Sequence, residues 1–461
     1  MTVLRRMSLA AVLALGASLP AQAESLADTM VAAYRHSALI EQNRAVLRAA
    51  DEDVAQAISS LRPVVQWVAG HSAQRAEGGT TTRSTSVTLG AQMTLYDFGR
   101  SRLAIDGAKE QVLATRQALV GIEQDVLLDA AQAFFNVREG IQQVSLQQSS
   151  VEVLSRERQA AQDRFEVGEI TVTDVALADA QLAATQASLA VAQGQLESAR
   201  EGYVAVTGSR PGTLAAPPSL PALPATVDEA KALAQRNHPA IRQAQRQAAA
   251  AEIAVAAAAA ERNPTLSGNA GVGITRSPNQ GDGAYSTRNS SSVGIEMQQT
   301  IYSGGRLPSL HRGAMAQRDQ ARSGLLNVSR QVTLSVGEAW VNIDVARAQI
   351  VAIDQQIRAA QQAYDGVREE ALLGARTTLD VLDAEQSLLE ARSNRITAES
   401  NLQLAHYQLL AAMGLLTVEN LNLGIPTYDP SQYYNAVRNA PHTSQQGESL
   451  DRVLRAIGRG N

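Results

Sequence analysis

The chain is written twice. Tyr96-Asp97-Phe98-Gly99-Arg100 returns as Tyr302-Ser303-Gly304-Gly305-Arg306, and Gln132-Ala133-Phe134-Phe135-Asn136 as Glu338-Ala339-Trp340-Val341-Asn342, both at an offset of 206 residues. The same offset carries Gly168, Thr171, Asp174, Val175 and Ala178 onto Gly374, Thr377, Asp380, Val381 and Ala384, and Gly208 onto Gly414. Nearer the start the offset is 201: Ile40 maps to Ile241 and Arg62-Pro63 to Asn263-Pro264, so one small length change between Pro63 and Tyr96 reconciles the two. So many matches in register do not arise by chance. They mark a tandem duplication, and a repeat read at this level constrains the whole fold. The expected divisions are a leader over 1–23, a first repeat over 24–210, a Pro-rich linker over 211–225, a second repeat over 226–424 and a tail over 425–461.

Each copy has one internal order. An Ala/Gln-rich helical segment comes first, Leu26 to Leu61 and again Val227 to Arg262, each ended by an X-Pro dipeptide that disfavours helix. Two strand-like segments follow. In the first copy Val87, Leu89, Ala91, Met93 and Leu95 share one face, against Thr88, Gly90, Gln92 and Thr94 on the other. In the second, Val293, Ile295, Met297, Gln299 and Ile301 oppose Gly294, Glu296, Gln298 and Thr300. The partner strands cover roughly Val64 to Ala73 and Thr265 to Thr275, with polar loops at Gln74 to Ser84 and Ser277 to Ser290. A very long helix is then expected, from about Arg102 to Val167 and from about Leu307 to Leu373, then a Gly-containing turn and a further helix. Residues Ala130, Val137, Val144 and Val151, interleaved with Leu127, Phe134 and Ile141, repeat every seven, as do Val336, Ile343, Ile350 and Ile357, with Trp340 in the place of Phe134; this is a coiled-coil seam. At 1.5 Å per residue such a helix reaches about 100 Å.

Composition narrows the class. Four Phe, two Trp and ten Tyr are few for 461 residues, so thick globular cores are not expected. The absence of Cys removes disulfides, thiolate metal sites and Cys nucleophiles together. Lys+Arg at 40 against Asp+Glu at 45 leaves no basic excess for nucleic acid. Arg5-Arg6, the apolar run Met7 to Leu19 and Pro20-Ala21-Gln22-Ala23 read as a secretory signal peptide cut after Ala23, with Glu24 rather than a lipid-bearing Cys next. No later stretch offers 18 uninterrupted apolar residues, so a membrane-spanning role would use β-strands closed into a barrel. The strand-like runs have the length and alternation of tilted transmembrane strands, and Trp67, Tyr96 and Tyr302 fall where aromatic girdles or simple packing would put them. Four strands per chain cannot close a barrel and eight enclose only side chains. A water-filled pore therefore needs at least three copies of the chain, with the helices extending it as a hollow bundle.

At this point the residues resemble a family. The duplication, the Tyr96–Arg100 and Tyr302–Arg306 strand ends, and the turns Gly168 to Asp174 and Gly374 to Ala384 together look like those of the TolC family of outer-membrane exporters, over about Leu26 to Leu423. The resemblance implies a mainly α fold with a β-barrel: a homotrimer whose twelve-stranded barrel in the outer membrane continues into a periplasmic α-helical tunnel. It implies a passive exit duct, docked to a periplasmic adaptor (membrane fusion protein) and an inner-membrane ABC or RND-type pump, with no cofactor and no catalysis. Thr171 with Asp174 and Thr377 with Asp380 fit helix caps, and each Gly fits a helix C-terminus. Asp383 lies one turn beyond Asp380 on the same face, so threefold symmetry would stack two rings of carboxylates. By resemblance Asp380 and Asp383 line the periplasmic aperture, while Arg376, Thr173 and Asp174 belong to the links that hold it shut, and Gly168 and Gly374 mark the helix tips where the adaptor docks. One departure is that Ala371 stands where better-known members place a gate Tyr. The substrate is open between a polypeptide of type I secretion and small toxic solutes, as in a dedicated multidrug channel. The rival of a different class is a soluble periplasmic coiled-coil scaffold; an enzyme is the weakest option. The tail beyond Leu423, with a weakly helical Glu448 to Ile457, is expected to wrap the tunnel or be partly disordered.

Overall fold

A computed structural model of the chain describes residues 23–75, 77, 81–278, 284–426 and 428–437. The expected leader up to residue 22, the tips of both polar loops, and Glu448 to Ile457 lie outside the described residues. In chain order the elements are α1 (Leu26–His36), α2 (Ala38–Ser59), β1 (Val64–Arg75), β2 (Thr81–Tyr96), α3 (Arg100–Glu166), α4 (Val172–Thr207), α5 (Val227–Asn237), α6 (Pro239–Ala260), β3 (Thr265–Pro278), β4 (Tyr285–Gln298), α7 (Arg306–Leu372), α8 (Thr378–Ala412) and α9 (Pro430–Val437). The long helices α3 and α7 each run unbroken for 67 residues.

The first segment of each copy is two helices, not the one expected. Ser37 is extended (φ −62°, ψ 109°) and its hydroxyl accepts from the Ile40 amide at 3.3 Å, so it ends α1 and begins α2. In the second copy His238 precedes Pro239, which excludes the helical conformation there and leaves His238 extended (φ −62°, ψ 125°). Apolar periodicity runs through both breaks and hides them. A His at each break, His36 just before it in the first copy and His238 at it in the second, is then met by the glycine that ends its own repeat. A Cβ on Gly208 would lie 2.5 Å from His36 Nδ1, and one on Gly414 would lie 2.7 Å from the His238 Cα.

The strand-end motif has a local reason. Asp97 caps α3 by accepting from Ser101 N at 2.7 Å and Gly99 N at 3.1 Å, and Ser303 does the same work by accepting from Leu307 N at 3.2 Å. The two residues just before each long helix are left-handed in both copies: Phe98 and Gly99 (φ 56° and 88°), Gly304 and Gly305 (φ 60° and 88°).

The described residues fall into two compact units, each containing parts of α3 and α7. One unit, Glu41–Gly121, Pro239–Gln331 and Tyr428–Asn461 in extent, contains the sheet. Its four strands are antiparallel in the order β1-β2-β3-β4, so the hairpins of the two copies are joined edge to edge through β2 and β3. The register sets Trp67 opposite Leu89 and Leu89 opposite Val272, and aligns Ala69, Val87 and Ile274, which places the apolar alternates of all strands on one face. That face is exposed: Trp67 at 70% and Val293 at 89%. On the other face Gly273 sits against Thr88, whose Cγ2 would be 2.9 Å from an added Cβ. Strands β1 and β4 pair within the chain on one side only.

In the same unit Leu47 and Val54 of α2 meet Val112 of α3, joined by Tyr428 and Tyr434. The segment 428–437, part of the tail expected either to wrap or to be disordered, lies here as a strap. Arg116 donates to the Pro430 carbonyl (3.2 Å) and stacks over Tyr434 (5.6 Å), Tyr433 donates to Glu52 (2.8 Å), and Arg44 stacks over Tyr428 (5.0 Å). Beneath it Asp51 is fully buried with no hydrogen bond to either carboxylate oxygen.

The other unit spans Met1–Ile40, Ile122–His238 and Val332–Thr427. The hairpin α3–α4 closes through Ala133, Val137, Leu196 and Tyr203, and α7–α8 through Tyr364, Ala371, Val381 and Leu388. The seven-residue seam is buried at Leu127, Ala130, Phe134 and Val137 but not at Ile141, which is 40% exposed. Helix α4 has a stretch apolar enough to cross a membrane by length and composition. Within the chain its Val175, Ala178, Leu196 and Tyr203 pack on α3 instead.

Candidate functional site

The two interhelical turns are built alike. Gly168 (φ 78°) and Gly374 (φ 77°) take the left-handed conformation that ends a helix, and the residue after each donates back to the last helical turn: Glu169 N to Arg164 O and Ala375 N to Glu370 O, both 2.9 Å. Three residues on, a Thr caps the next helix. Asp174 N donates to Thr171 Oγ1 at 3.4 Å and Thr171 N to Asp174 Oδ2 at 2.9 Å; the second copy repeats this between Thr377 and Asp380 at 3.2 and 2.9 Å. The hydrogen bonds from Thr171 and Thr377 hold both Asp carboxyls below the usual carboxylate range. The geometry thus accounts for Gly168, Gly374, Asp174 and Asp380 as turn formers, while Thr173 and Asp383 are exposed and take no part in the caps.

Each turn also carries an ion pair absent from the sequence reading. Arg164 Nε lies 3.1 Å from Glu169, and Arg376 Nε 2.8 Å from Glu370. In the repeat register Arg164 corresponds to Glu370, so the clasp is kept with its polarity reversed: arginine on the helix in one copy, in the turn in the other. Exposed pairs contribute little to stability, so their effect is to position the turn. Within the chain Arg376 is held by Glu370 rather than by Thr173 or Asp174. Ala371 is buried against Tyr364 and Val381, in a cluster where a methyl fits and a phenol would not without repacking.

Behind the turns a ladder of polar contacts joins the two hairpins. Thr397 donates to Glu139 (2.8 Å), Gln143 and Ser393 exchange two bonds (3.0 and 3.1 Å), Ser150 donates to Glu385 (2.8 Å), and Arg368 pairs with Glu157 (3.3 Å). From α4, Gln181 donates to Gln386 (3.1 Å). The α3 members Gln143, Ser150 and Glu157 are seven apart, one position before the apolar seam. The most buried rung is Glu385, at 6% exposure. Its signal was present in the sequence: Val381, Leu382, Leu388 and Leu389 mark the inward face of α8, and position 385 falls on that face. The rung beside it, Leu382 with Leu154, Ala161, Val175 and Ala178, is apolar.

The arrangement holds exposed carboxylates and a guanidinium at the turns, supported by a semi-polar seam. Solved structures of similar fold include that of the CusC channel, which aligns with a TM-score of 0.75 at 19% identity, covering 85% of this chain and 92% of that one. Among relatives in sequence, the outer membrane efflux protein BepC of Brucella suis is 34% identical over 439 residues, covering 93% of this chain and 94% of BepC. The outer membrane protein TolC of Escherichia coli K12 is 26% identical over 465 residues, covering 95% and 91%. The family model described as outer membrane efflux protein matches twice, over residues 30–209 and 231–415. The mainly helical chain with four antiparallel strands is therefore an outer-membrane efflux or secretion duct and not an enzyme, and it belongs to the outer membrane efflux protein family.

Proposed function

We propose that three copies of the chain form a passive exit duct of a tripartite export machine, and that the two turns form its periplasmic entrance. The observation that carries the oligomer is the sheet: two strands of 12 and 14 residues, each with one unpaired edge, in a four-strand set too small to close. Three such sets make a twelve-stranded barrel with the apolar face toward lipid and the Gly- and Thr-lined face toward water. In this reading the mature chain begins at Glu24 and its two repeats each supply one hairpin of strands and one of helices. Asp380 and Asp383 line the aperture, Arg376 with Thr173 and Asp174 holds it shut, and Gly168 and Gly374 present close-packing tips to a periplasmic adaptor. An inner-membrane pump of ABC or RND type supplies the energy, and the duct carries secreted polypeptide and small toxic solutes alike.

In planar bilayers the purified protein is expected to conduct poorly and to prefer cations. Conductance should rise in Arg376→Ser, and cation preference should fall when Asp380 and Asp383 both become Ala. Unchanged conductance and selectivity in these variants would remove the turns as the entrance. A deletion strain scored for both secreted proteins and toxic-solute sensitivity decides the substrate, and loss of only one phenotype refutes the dual role.

A further inference from the structure

We infer that Glu385 is an in-chain latch: its buried carboxylate, bonded to Ser150 of the other hairpin, sets how firmly the first turns of α8 are held to α3, and the latch tightens as the medium acidifies. The inference rests on the proposed entrance only for its consequence, because α8 begins with Asp380 and Asp383. The latch itself rests on contacts within one chain.

Three observations carry it. First, Glu385 is at 6% exposure on the inward face of α8, where its neighbours in register are Val381, Leu382, Leu388 and Leu389. Second, only one carboxylate oxygen is satisfied. Ser150 donates to Oε1 at 2.8 Å across 235 residues of sequence, while Oε2 is buried without a partner. A buried carboxylate left half-bonded is costly when ionised and comfortable when protonated. Third, the contact of α8 nearer the turn is apolar (Leu382 on Leu154 and Val175), and the pair nearer the turn, Arg368 with Glu157, belongs to α7, so Glu385 is the first polar side chain by which α8 itself is held to α3.

The influences on it do not all point one way: burial and Glu157 favour the protonated form, while the Ser150 bond and Arg392 favour the charged one. From α3, Glu157 adds repulsion, though it is itself paired with Arg368 of α7. From α7 the other titratable neighbour is Tyr364, a neutral phenol that burial holds above its ordinary pKa. From α4 the contact is the uncharged Gln181 on Gln386, and the charged Asp179 is turned to Arg158 at 2.8 Å. On its own helix Arg392 opposes the trend. Burial, the largest influence, leaves the Glu385 carboxyl above the ordinary glutamate value. A carboxyl that binds its proton more tightly when latched than when exposed ties latching to proton uptake. Closure is therefore favoured as pH falls through the raised value, and weakened above it.

The test uses the assembled protein in detergent, with amide exchange followed over residues 378–390 from about pH 5 to pH 8 and corrected for intrinsic rates, beside bilayer conductance at the same pH. In the wild type, exchange should slow on acidification. Glu385→Gln should exchange slowly at every pH. Ser150→Ala should exchange about tenfold faster near pH 7, where the charged oxygen loses its donor, and return toward wild type in acid. Exchange that is the same in all three proteins, or a pH dependence that survives in Glu385→Gln, overturns the latch whatever the conductance does. Exchange that follows the predicted pattern while conductance ignores it keeps the latch and removes the entrance from these turns.

Discussion

Asp51 offers the sharpest test of how the strap is held. Its carboxyl is fully buried, neither oxygen has a hydrogen-bond partner, and burial pushes its pKa from 3.8 up to about 6, against the partial relief of nearby Arg116. The sign follows from proton binding. Between the two values the folded strap holds a proton that the opened one has lost, so stability falls as pH rises from about 4 to about 6 and is flat above. A shift of roughly two units corresponds to at most about 3 kcal/mol at neutral pH. Asp51→Asn removes the charge and keeps the shape, but buries an amide without partners, so a net gain of about 1 to 2 kcal/mol is expected. Opening of 428–437 hydrates Asp51, because Tyr428 and Tyr434 pack on the same Leu47, Val54 and Val112 cluster. Proteolytic release of the strap, with cleavage slow relative to reclosing, reads that opening directly. The variant should be cut roughly tenfold more slowly near pH 7, with little difference near pH 4, after calibration on an unstructured peptide. Faster cleavage of Asp51→Asn near pH 7, or an unchanged rate there, would refute the reasoning.

Two further substitutions probe the other unit. Gly414→Ala should destabilise more than Gly208→Ala, although both glycines have positive φ: the first would strike the His238 backbone, which cannot move aside, and the second a His36 ring that can swing away; thermal melts of the two variants should differ by several degrees, and equal losses would show that φ strain alone governs. Tyr203→Phe takes the phenol donor from the Glu24 carboxylate (2.6 Å) and one of two contacts from the Thr29 hydroxyl (2.9 Å), which keeps its bond to the Ser25 carbonyl, at a cost of about 1 to 2 kcal/mol, read as faster exchange of the α1 amides.

Much of the chain could be read from neighbours in sequence. The Thr-x-x-Asp caps, the helix-ending glycines and the alternation of the strands depend on residues within a few positions, so their geometry is written locally. The break between α1 and α2 was missed because apolar spacing continues across Ser37, and only a side-chain bond to Ile40 reveals the cap. Glu370 was missed as the partner of Arg376 because a clasp over a turn has no fixed spacing, and Glu385 because a charged residue on an apolar face is easily passed over as solvated.

By itself the sequence determined that two copies of one helix–strand design share the chain, that the helices are long and the strands alternate, and that the turns are capped. These follow from steric and hydrogen-bonding preferences acting over a few residues. Only the tertiary structure decided that β2 pairs with β3, that residues 428–437 strap α2 to α3, and that Ser150 finds Glu385 at a distance of 235 residues. Those pairings depend on how each helix is rotated about its axis and how each strand is registered. Those rotations and registers are set by the sum of packing over whole elements, and no short motif encodes them.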